Sequence, residues 1–289
     1  MNIGFLGFGE VGYEMSKGFL TYGQAHQIFA YDPQHQKEST ILQANEVEVQ
    51  LLDDPIKVVK EPLDILFAAV PALYSYDAWS AIKDYLNEDT IYVDLSTASA
   101  SMKQKINDEL SLQNSIIDAA MMGPLKGNQH KVPMMISGSD ARRFQRWGQD
   151  FDMNVKYVSE NPGDATNIKF IRSIFTKGLS TLMHEVLEIA NRLDLGDLIL
   201  DSITQTMEKD SFEDIVNRLI TSNVLHSKRR VQEMENVMDF LTEYHVEPYM
   251  SKATRDKLAA ITNEHLKDLF ADNPPQSWKE VMQKSNQSN

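Results

Sequence analysis

The 289-residue sequence contains no cysteine. That excludes a disulfide framework, a thiolate metal site and a thiol nucleophile together. No apolar run approaches the length of a membrane span, and the first residues carry neither a basic flank nor a small-residue cleavage site. Neither a membrane anchor nor a signal or transit peptide is therefore expected. Cations are scarce as well, 28 Lys and Arg against 42 Asp and Glu, for a formal charge of −14. A field of that sign repels phosphate chains, so nucleic acid is not an expected partner, and a small anionic substrate would need a local cationic pocket. The 7 histidines, His184 and His245 among them, lack the paired spacing of a metal site, and no metal is expected. Internal repeats and low-complexity linkers are missing too. What remains is a chain of cytoplasmic type with 42% hydrophobic residues, enough for one large or two medium cores.

Glycine is concentrated where it matters, at the start. Asn2-Ile3-Gly4-Phe5-Leu6 runs into Gly7-Phe8-Gly9-Glu10-Val11-Gly12, and a helix-like segment, Tyr13 to Leu20, follows. In this Gly-x-Gly-x-x-Gly pattern Gly7 permits a tight turn, Gly9 lets the backbone approach a pyrophosphate, and Gly12 lets the helix pack on the strand. The phosphates sit at the helix N-terminus, where unpaired N–H groups point outward. A second apolar segment, Gln27 to Tyr31, ends at Asp32, twenty residues past Gly12, where a carboxylate accepts hydrogen bonds from the adenosine ribose. No arginine follows Asp32, which favours NAD over NADP, although Lys37 lies within reach of a 2′-phosphate.

Strand and helix signals then alternate, the mark of a doubly wound sheet. A helix is expected over Glu38 to Ala44. Asp64 to Val70 is a continuous apolar run ended by Pro71, as in a strand covered on both faces. Tyr76 to Leu86 suggests a helix. Ile91 to Thr97 is a strand with small polar residues, Ser96 and Thr97, at its C-terminal end, and Ser99 can cap a helix beginning near Met102. Ser115 to Met121 leads into a Met122-Gly123-Pro124 turn, and Val132 to Ser137 and Val155 to Val158 suggest two last strands. The expected first domain is residues 1–162, with an all-helical domain over 163–289.

That second domain opens with Asp164 to Arg192, which lacks proline and is apolar on most sides. Such a helix spans roughly 40 Å and is expected to be buried between other elements. Further helices are expected near 197–208, 211–222, 226–244 and 251–269, with a frayed end from Lys284 to Asn289. Lys169 stands out because the loop Asn161 to Ala165 leads into it and Ile168, Phe170 and Ile171 surround it. Desolvation there would lower its pKa and suit it to general acid–base work. Ser173 and Thr176 share its face at helical spacing, and Lys177 lies about 80° around the helix. His226-Ser227-Lys228-Arg229-Arg230 is the densest basic cluster, either a solvated helix start or an anion site. The Met121-Met122 and Met134-Met135 pairs suggest core or pocket lining.

Together these pieces resemble the β-hydroxyacid dehydrogenase family, which includes 6-phosphogluconate, 3-hydroxyisobutyrate and tartronate semialdehyde enzymes. The likeness covers nearly the whole chain. The family's glycine fingerprint is matched by Gly7, Gly9 and Gly12, and its Asp-Ala-Pro-Val-Ser-Gly-Gly stretch loosely by Asp118 to Pro124. Its Gly-x-Gly/Ala-x-x-x-Lys segment is matched by Gly163 to Lys169. Departures are Met122, Gly123 and Pro124 at the serine and glycine positions, and Ser173 where the family has asparagine. A Met-Gly-Pro turn, Lys177-Gly178 and Arg229-Arg230-x-x-Glu233-Met234 are similar to a less characterised bacterial branch.

The resemblance implies an NAD(P)-dependent oxidoreductase transferring a hydride between nicotinamide and a small β-hydroxy acid or its carbonyl form. It implies a dinucleotide held by Gly7, Phe8, Gly9, Glu10, Val11, Gly12 and Asp32, with Val70, Pro71, Ser96 and Thr97 beside the nicotinamide. Lys169 would be the general acid–base, and Met122, Gly123, Pro124, Ser173, Lys177 and Arg230 would contact substrate. It also implies a homodimer formed through the helical half. Alternatives are a sugar phosphate or an imine as substrate, or a dinucleotide-binding sensor without catalysis. Related folds that reduce imines place other residues at the lysine position, so Lys169 points to an alcohol and carbonyl pair.

Overall fold

Short apolar runs that are buried on both faces become the strands of one sheet. The computed structural model describes residues 1–23, 25–110 and 115–288. It divides into two compact units, Met1–Ile174 and Phe175–Asn289. The first contains β1 (Asn2–Leu6), α1 (Glu10–Tyr22), β2 (Gln27–Tyr31), α2 (Glu38–Glu46), β3 (Gln50–Leu52), α3 (Pro55–Val59), β4 (Ile65–Ala68), α4 (Ser75–Ser80), β5 (Ile91–Asp94), α5 (Ala100–Leu110), β6 (Ile116–Met121), β7 (Met134–Ser137), α6 (Ala141–Gln149) and β8 (Val155–Ser159). A long helix, α7 (Asp164–Arg192), begins in this unit and ends in the second.

The sheet has eight strands in the order β3-β2-β1-β4-β5-β6-β7-β8. Its first six positions follow the doubly wound dinucleotide-binding order, with the switch point between β1 and β4. All pairs are parallel except β6 with β7. Alternation along each strand feeds two cores. Ile3, Phe5, Ile65, Phe67 and Val93 face one side, while Leu6, Leu66, Ala68 and Tyr92 face the other.

The first core is strongly aromatic around α1. Phe19 lies 6.0 Å from the Phe67 ring and 5.1 Å from Phe151, and Trp147 lies 4.5 Å from Phe151. Helix α6 supplies Phe144 and Trp147, and it has no counterpart among the expected elements; nor do β3 and α3. The expected helix over Tyr76 to Leu86 is corrected to α4 plus a 3₁₀ turn, Lys83–Tyr85. The cause is visible in the hydrogen bonds. Ile82 and Tyr85 donate to carbonyls three residues back, Trp79 and Ile82, instead of four, which tightens the chain. Ser99 does cap α5, its Oγ accepting from Met102 N–H at 3.2 Å.

The second unit is helical: the rest of α7, then α8 (Gly196–Met207), α9 (Phe212–Glu243), α10 (Tyr249–Asn263) and α11 (Trp278–Ser288). Two expected helices, 211–222 and 226–244, are one continuous α9, because neither glycine nor proline interrupts them. Helix α10 stops earlier than the expected 269. His265 adopts a left-handed φ of 53° just past the helix, a common stop signal. From Lys284 the chain is helical as far as Ser288 instead of frayed, and Asn289 lies outside the described residues. Val281 is buried with Val224, Leu266 and Phe270, and Lys284 Nζ donates to Leu269 O at 2.7 Å. Glu185 of α7 caps α10, accepting from Met250 N–H at 2.7 Å and from Ser251 N–H and Oγ at 2.8 and 2.6 Å, so three donors satisfy a buried carboxylate.

Helix α7 is expected to be buried between other elements, and in the single chain much of it is not. Phe170, Phe175 and Leu179 are exposed, as are Ile171 at 66% and Ile174 at 77%. The apolar surface is real, but a single chain does not cover it. The first compact unit runs to Ile174, and the start of α7 is bonded into the sheet as described below.

One buried histidine gives the first unit a pH dependence. His130 packs under α1 where Gly18 makes room, for a Cβ at Gly18 would collide with His130 Nδ1. Its Nε2 donates to Phe151 O at 3.0 Å, so Nδ1 is the unprotonated nitrogen. Burial, offset in part by that hydrogen bond, pushes its pKa below the ordinary 6.5. The fold thus binds fewer protons at His130 than the unfolded chain does, and stability falls as pH drops below about 6.5. Thermal unfolding between pH 7.5 and 5.5 should show a steeper loss for the wild type than for His130→Gln. Parallel curves for the two would exclude this origin.

Candidate functional site

Parallel pairing brings the C-terminal ends of β1, β4, β5 and β6 to one edge. The register aligns Leu6 with Ala68, Ala68 with Asp94, and Asp94 with Asp118. The segments Gly7–Gly12, Val70–Pro71, Ser96–Thr97 and Met122–Pro124 therefore all leave the sheet on that edge. This is where open α/β sheets bind ligands.

The glycine loop has the shape of a phosphate cradle. Gly7 has φ +91°, and a Cβ there would sit 2.5 Å from Ala69 O, so no other residue allows the loop to lie this close to β4. A Cβ at Gly9 would meet nothing within 4 Å, which is the room a pyrophosphate needs. A Cβ at Gly12 would sit 2.9 Å from Gly7 O, so its absence lets α1 close on the loop. The first bond of α1 runs from Tyr13 N–H to Gly9 O at 3.0 Å, and the preceding N–H groups have no intrahelical partner. Glu10 and Val11 thus offer backbone donors to an anion. Phe8 turns its ring into the core, 2% exposed, and its N–H is already donated to Asp32.

Asp32 does two things at once. Oδ2 accepts from Phe8 N–H at 2.9 Å and Oδ1 from Gln34 N–H at 2.8 Å. Each oxygen keeps a lone pair for a ribose hydroxyl. Beside it lies a cleft of about 250 Å³ lined by Gly7, Tyr31, Pro33, Val70, Tyr74 and Ala78 among others, flat and apolar enough for an adenine ring. The residues present fit a dinucleotide.

Underneath the edge is a cluster that the sequence did not announce. Lys103 Nζ on α5, only 3% exposed, lies 3.0 Å from Asp94 Oδ1, 3.0 Å from Asp94 O and 3.4 Å from Asp118 Oδ1. Asp94 also accepts from Ser75 Oγ at 2.6 Å, Trp79 Nε1 at 3.0 Å and Ser96 N–H at 2.8 Å. Burial alone would raise the Asp94 pKa, but the Lys103 ammonium and the Ser75 and Ser96 donors outweigh it and hold the carboxyl below its usual range.

Asp118 reaches the other way, to α7. It accepts from Thr166 N–H and Thr166 Oγ1, both at 2.8 Å, while Ser137 Oγ accepts from Ala165 N–H at 3.1 Å. Orphan N–H groups of the first turn are thereby satisfied, and a carboxylate lies at the positive end of the helix. Gly163, at φ +99° and where a Cβ would sit 2.8 Å from Ala100 O, makes the approach possible. Lys169 follows Thr166 by less than one turn, half-buried, and Ser173 follows one turn later, also half-buried. Phe170 and Ile171 are exposed, so they do not supply the apolar surround expected for Lys169 within one chain. Lys177 and Arg230 belong to the second unit. Asp94 lies inside the expected strand Ile91 to Thr97 and Asp118 opens the family-like stretch to Pro124, whereas Lys103 has no expected role; a lysine at helical spacing from Ile106 and Leu110 is the signal the sequence carries for it.

Fold and cradle define a nicotinamide-dinucleotide-binding domain of the hydroxyacid dehydrogenase type. Residues 2–152 match the model described as the NAD binding domain of 6-phosphogluconate dehydrogenase, and the chain belongs to that family. Residues 190–261 match DUF1932, a domain of unknown function. An uncharacterised 28.5 kDa protein from Methanothermus fervidus is 28% identical over 261 residues, 90% of this chain and 99% of that one. A conserved protein of unknown function, described as structurally similar to 3-hydroxyacid dehydrogenases, superposes with TM-score 0.61 at 26% identity, covering 92% of this chain and 99% of its own. An imine reductase from Streptomyces aurantiacus shares the fold, with TM-score 0.69 at 13% identity over 98% of this chain and 99% of its own.

Removing the ammonium while keeping the carboxylates tests the buried cluster. Lys103→Met should destabilise the first unit by about 3–5 kcal/mol, the range for leaving a buried charge without its partner. Urea denaturation would measure it; a loss below about 1 kcal/mol would show that water or a proton compensates.

Proposed function

We propose that the chain is an NAD(P)-dependent oxidoreductase that interconverts a small β-hydroxy acid and its carbonyl form, with Lys169 as the proton-transfer group. The observation that supports it most is the Asp118 clamp. It ties the start of the Lys169 helix to β6, beside the Ser96–Thr97 end of β5 and along the same edge as the glycine loop. A bound nicotinamide supplies or takes up the hydride. Lys169, as the neutral amine, accepts the hydroxyl proton during oxidation, and as the ammonium returns it to the carbonyl oxygen during reduction. Ser173 offers a hydroxyl one turn along the same face, and the Met122–Pro124 turn shapes the substrate wall. Asp32, with no arginine after it, favours NAD, because a 2′-phosphate would approach a carboxylate.

The test is turnover followed by nicotinamide absorbance, with NAD(H) and NADP(H) in parallel, against β-hydroxy acids, their carbonyl partners and sugar phosphates. Lys169→Ala should lower kcat by about 10²- to 10⁴-fold with cofactor affinity unchanged. Full turnover in the variant would remove the assignment. A cyclic imine belongs in the same panel, since the likeness to an imine reductase carries the higher TM-score, 0.69 against 0.61. Imine turnover indifferent to Lys169→Ala would favour that reading.

We also propose a homodimer that covers the exposed apolar face of α7, where Ile171 and Ile174 stand out of a single chain. A contiguous exposed apolar face of this kind marks an interface. Light scattering should give twice the 32.9 kDa chain mass, and Ile174→Asp should shift the population to monomer. A wild-type monomer at working concentration would refute the dimer.

A further inference from the structure

We propose that the helical unit has a binding site of its own for a small aliphatic carboxylate, between α9 and α10 and centred on Arg230. The site stands on geometry inside the second unit alone and takes Arg230, which the resemblance implies as a substrate contact, for a pocket whose lining lies wholly in that unit. A cavity of about 540 Å³ opens there, within the range of small-molecule sites. Its lining falls entirely within the stretch matched to a domain of unknown function.

The cation in it is built into place. Asn223 and Arg230 stand two turns apart on one face of α9, and the half-buried guanidinium folds back along the helix. It donates through Nη2 to Ser222 Oγ at 2.8 Å and through Nη1 to Asn223 Oδ1. Those bonds fix the plane of the fork before any ligand arrives, so little side-chain freedom is lost on binding, and other N–H groups of the fork remain to be shared. Across the cavity, α10 contributes Lys257.

Charge is left over. Glu233 is the carboxylate of the lining, and it already lies 3.1 Å from Arg229. Among the described residues neither Arg230 nor Lys257 forms an ion pair with a carboxylate. Two cations without an ion-paired carboxylate therefore face one cavity in a chain of net charge −14. The rest of the wall is mostly apolar, Met234, Ala253, Leu258 and Ile261, and the Thr254 hydroxyl is already donated to Met250 O at 2.8 Å. An anionic head on a short hydrocarbon body matches both halves. A carboxylate is satisfied by the few donors of a fork and an ammonium, whereas a phosphate brings three oxygens to a wall that is mostly hydrocarbon.

Titration calorimetry of the full chain with hexanoate tests this, with hexanamide as the neutral counterpart. Saturable binding is expected, roughly tenfold tighter for hexanoate than for hexanamide and weakened roughly tenfold by Arg230→Met. Lys257→Met, a change at an exposed side chain that leaves the packing intact, should weaken it several-fold. Lys169→Ala, in the first unit, should leave it unchanged. Equal affinity for hexanamide, indifference to both cation variants, loss in Lys169→Ala, or tighter binding of inorganic phosphate would each overturn the proposal.

Discussion

The buried Asp94–Lys103–Asp118 cluster is the constraint on which the rest of the first unit depends. One ammonium joins two carboxylates from neighbouring strands, and the carboxylate oxygens also accept from Ser75, Trp79, Ser96, Ser137 and Thr166. Asp94 holds α4 through Ser75 and Trp79, Lys103 holds α5, and Asp118 holds α7 through Thr166. Three helices are thus oriented from one point in a low-dielectric interior, where charges without partners would be prohibitive. Hydrophobic packing is non-directional and tolerates small shifts, whereas this arrangement of donors and acceptors has one solution.

The two units differ in how they are held. In the first, the sheet is sandwiched by two apolar cores, and its polar edge is braced from beneath. In the second, the shared core is small, Val224, Leu266, Phe270 and Val281, and specific polar contacts such as Glu185 with the start of α10 define the packing. Much apolar surface there and along α7 stays in contact with solvent in the single chain, so the helical part depends more on what covers it.

Local patterns carried most of what was legible in the sequence. The glycine loop, Asp32 and the strands β1, β4, β5 and β6 are contiguous runs whose chemistry is stated within a few residues, and α7 matches its expected limits, Asp164 and Arg192. What was not legible depends on distance. Lys103 lies in a polar-looking helix, and its partners come from other strands. Nothing near β7 signals that it turns antiparallel. Helix α6 hides its apolar face, Phe144 and Trp147, among Arg142, Arg143 and Arg146. The exposure of α7 in the single chain was not legible either, because a periodic apolar pattern says that a surface wants covering, not which chain supplies the cover.

The shared carboxylate of Asp32 has a consequence for how cofactor choice can change. The carboxylate that would meet the ribose also holds Phe8 N–H through Oδ2, and so keeps the glycine loop in shape. An evolutionary route towards the phosphorylated dinucleotide that simply discards this acid would loosen the loop in the same step. The accessible path keeps an acceptor at position 32, such as a serine or asparagine oxygen, and recruits positive charge from the following turn, where Lys37 already stands. Specificity at this site is therefore tied to loop architecture, and its drift is channelled through few intermediates.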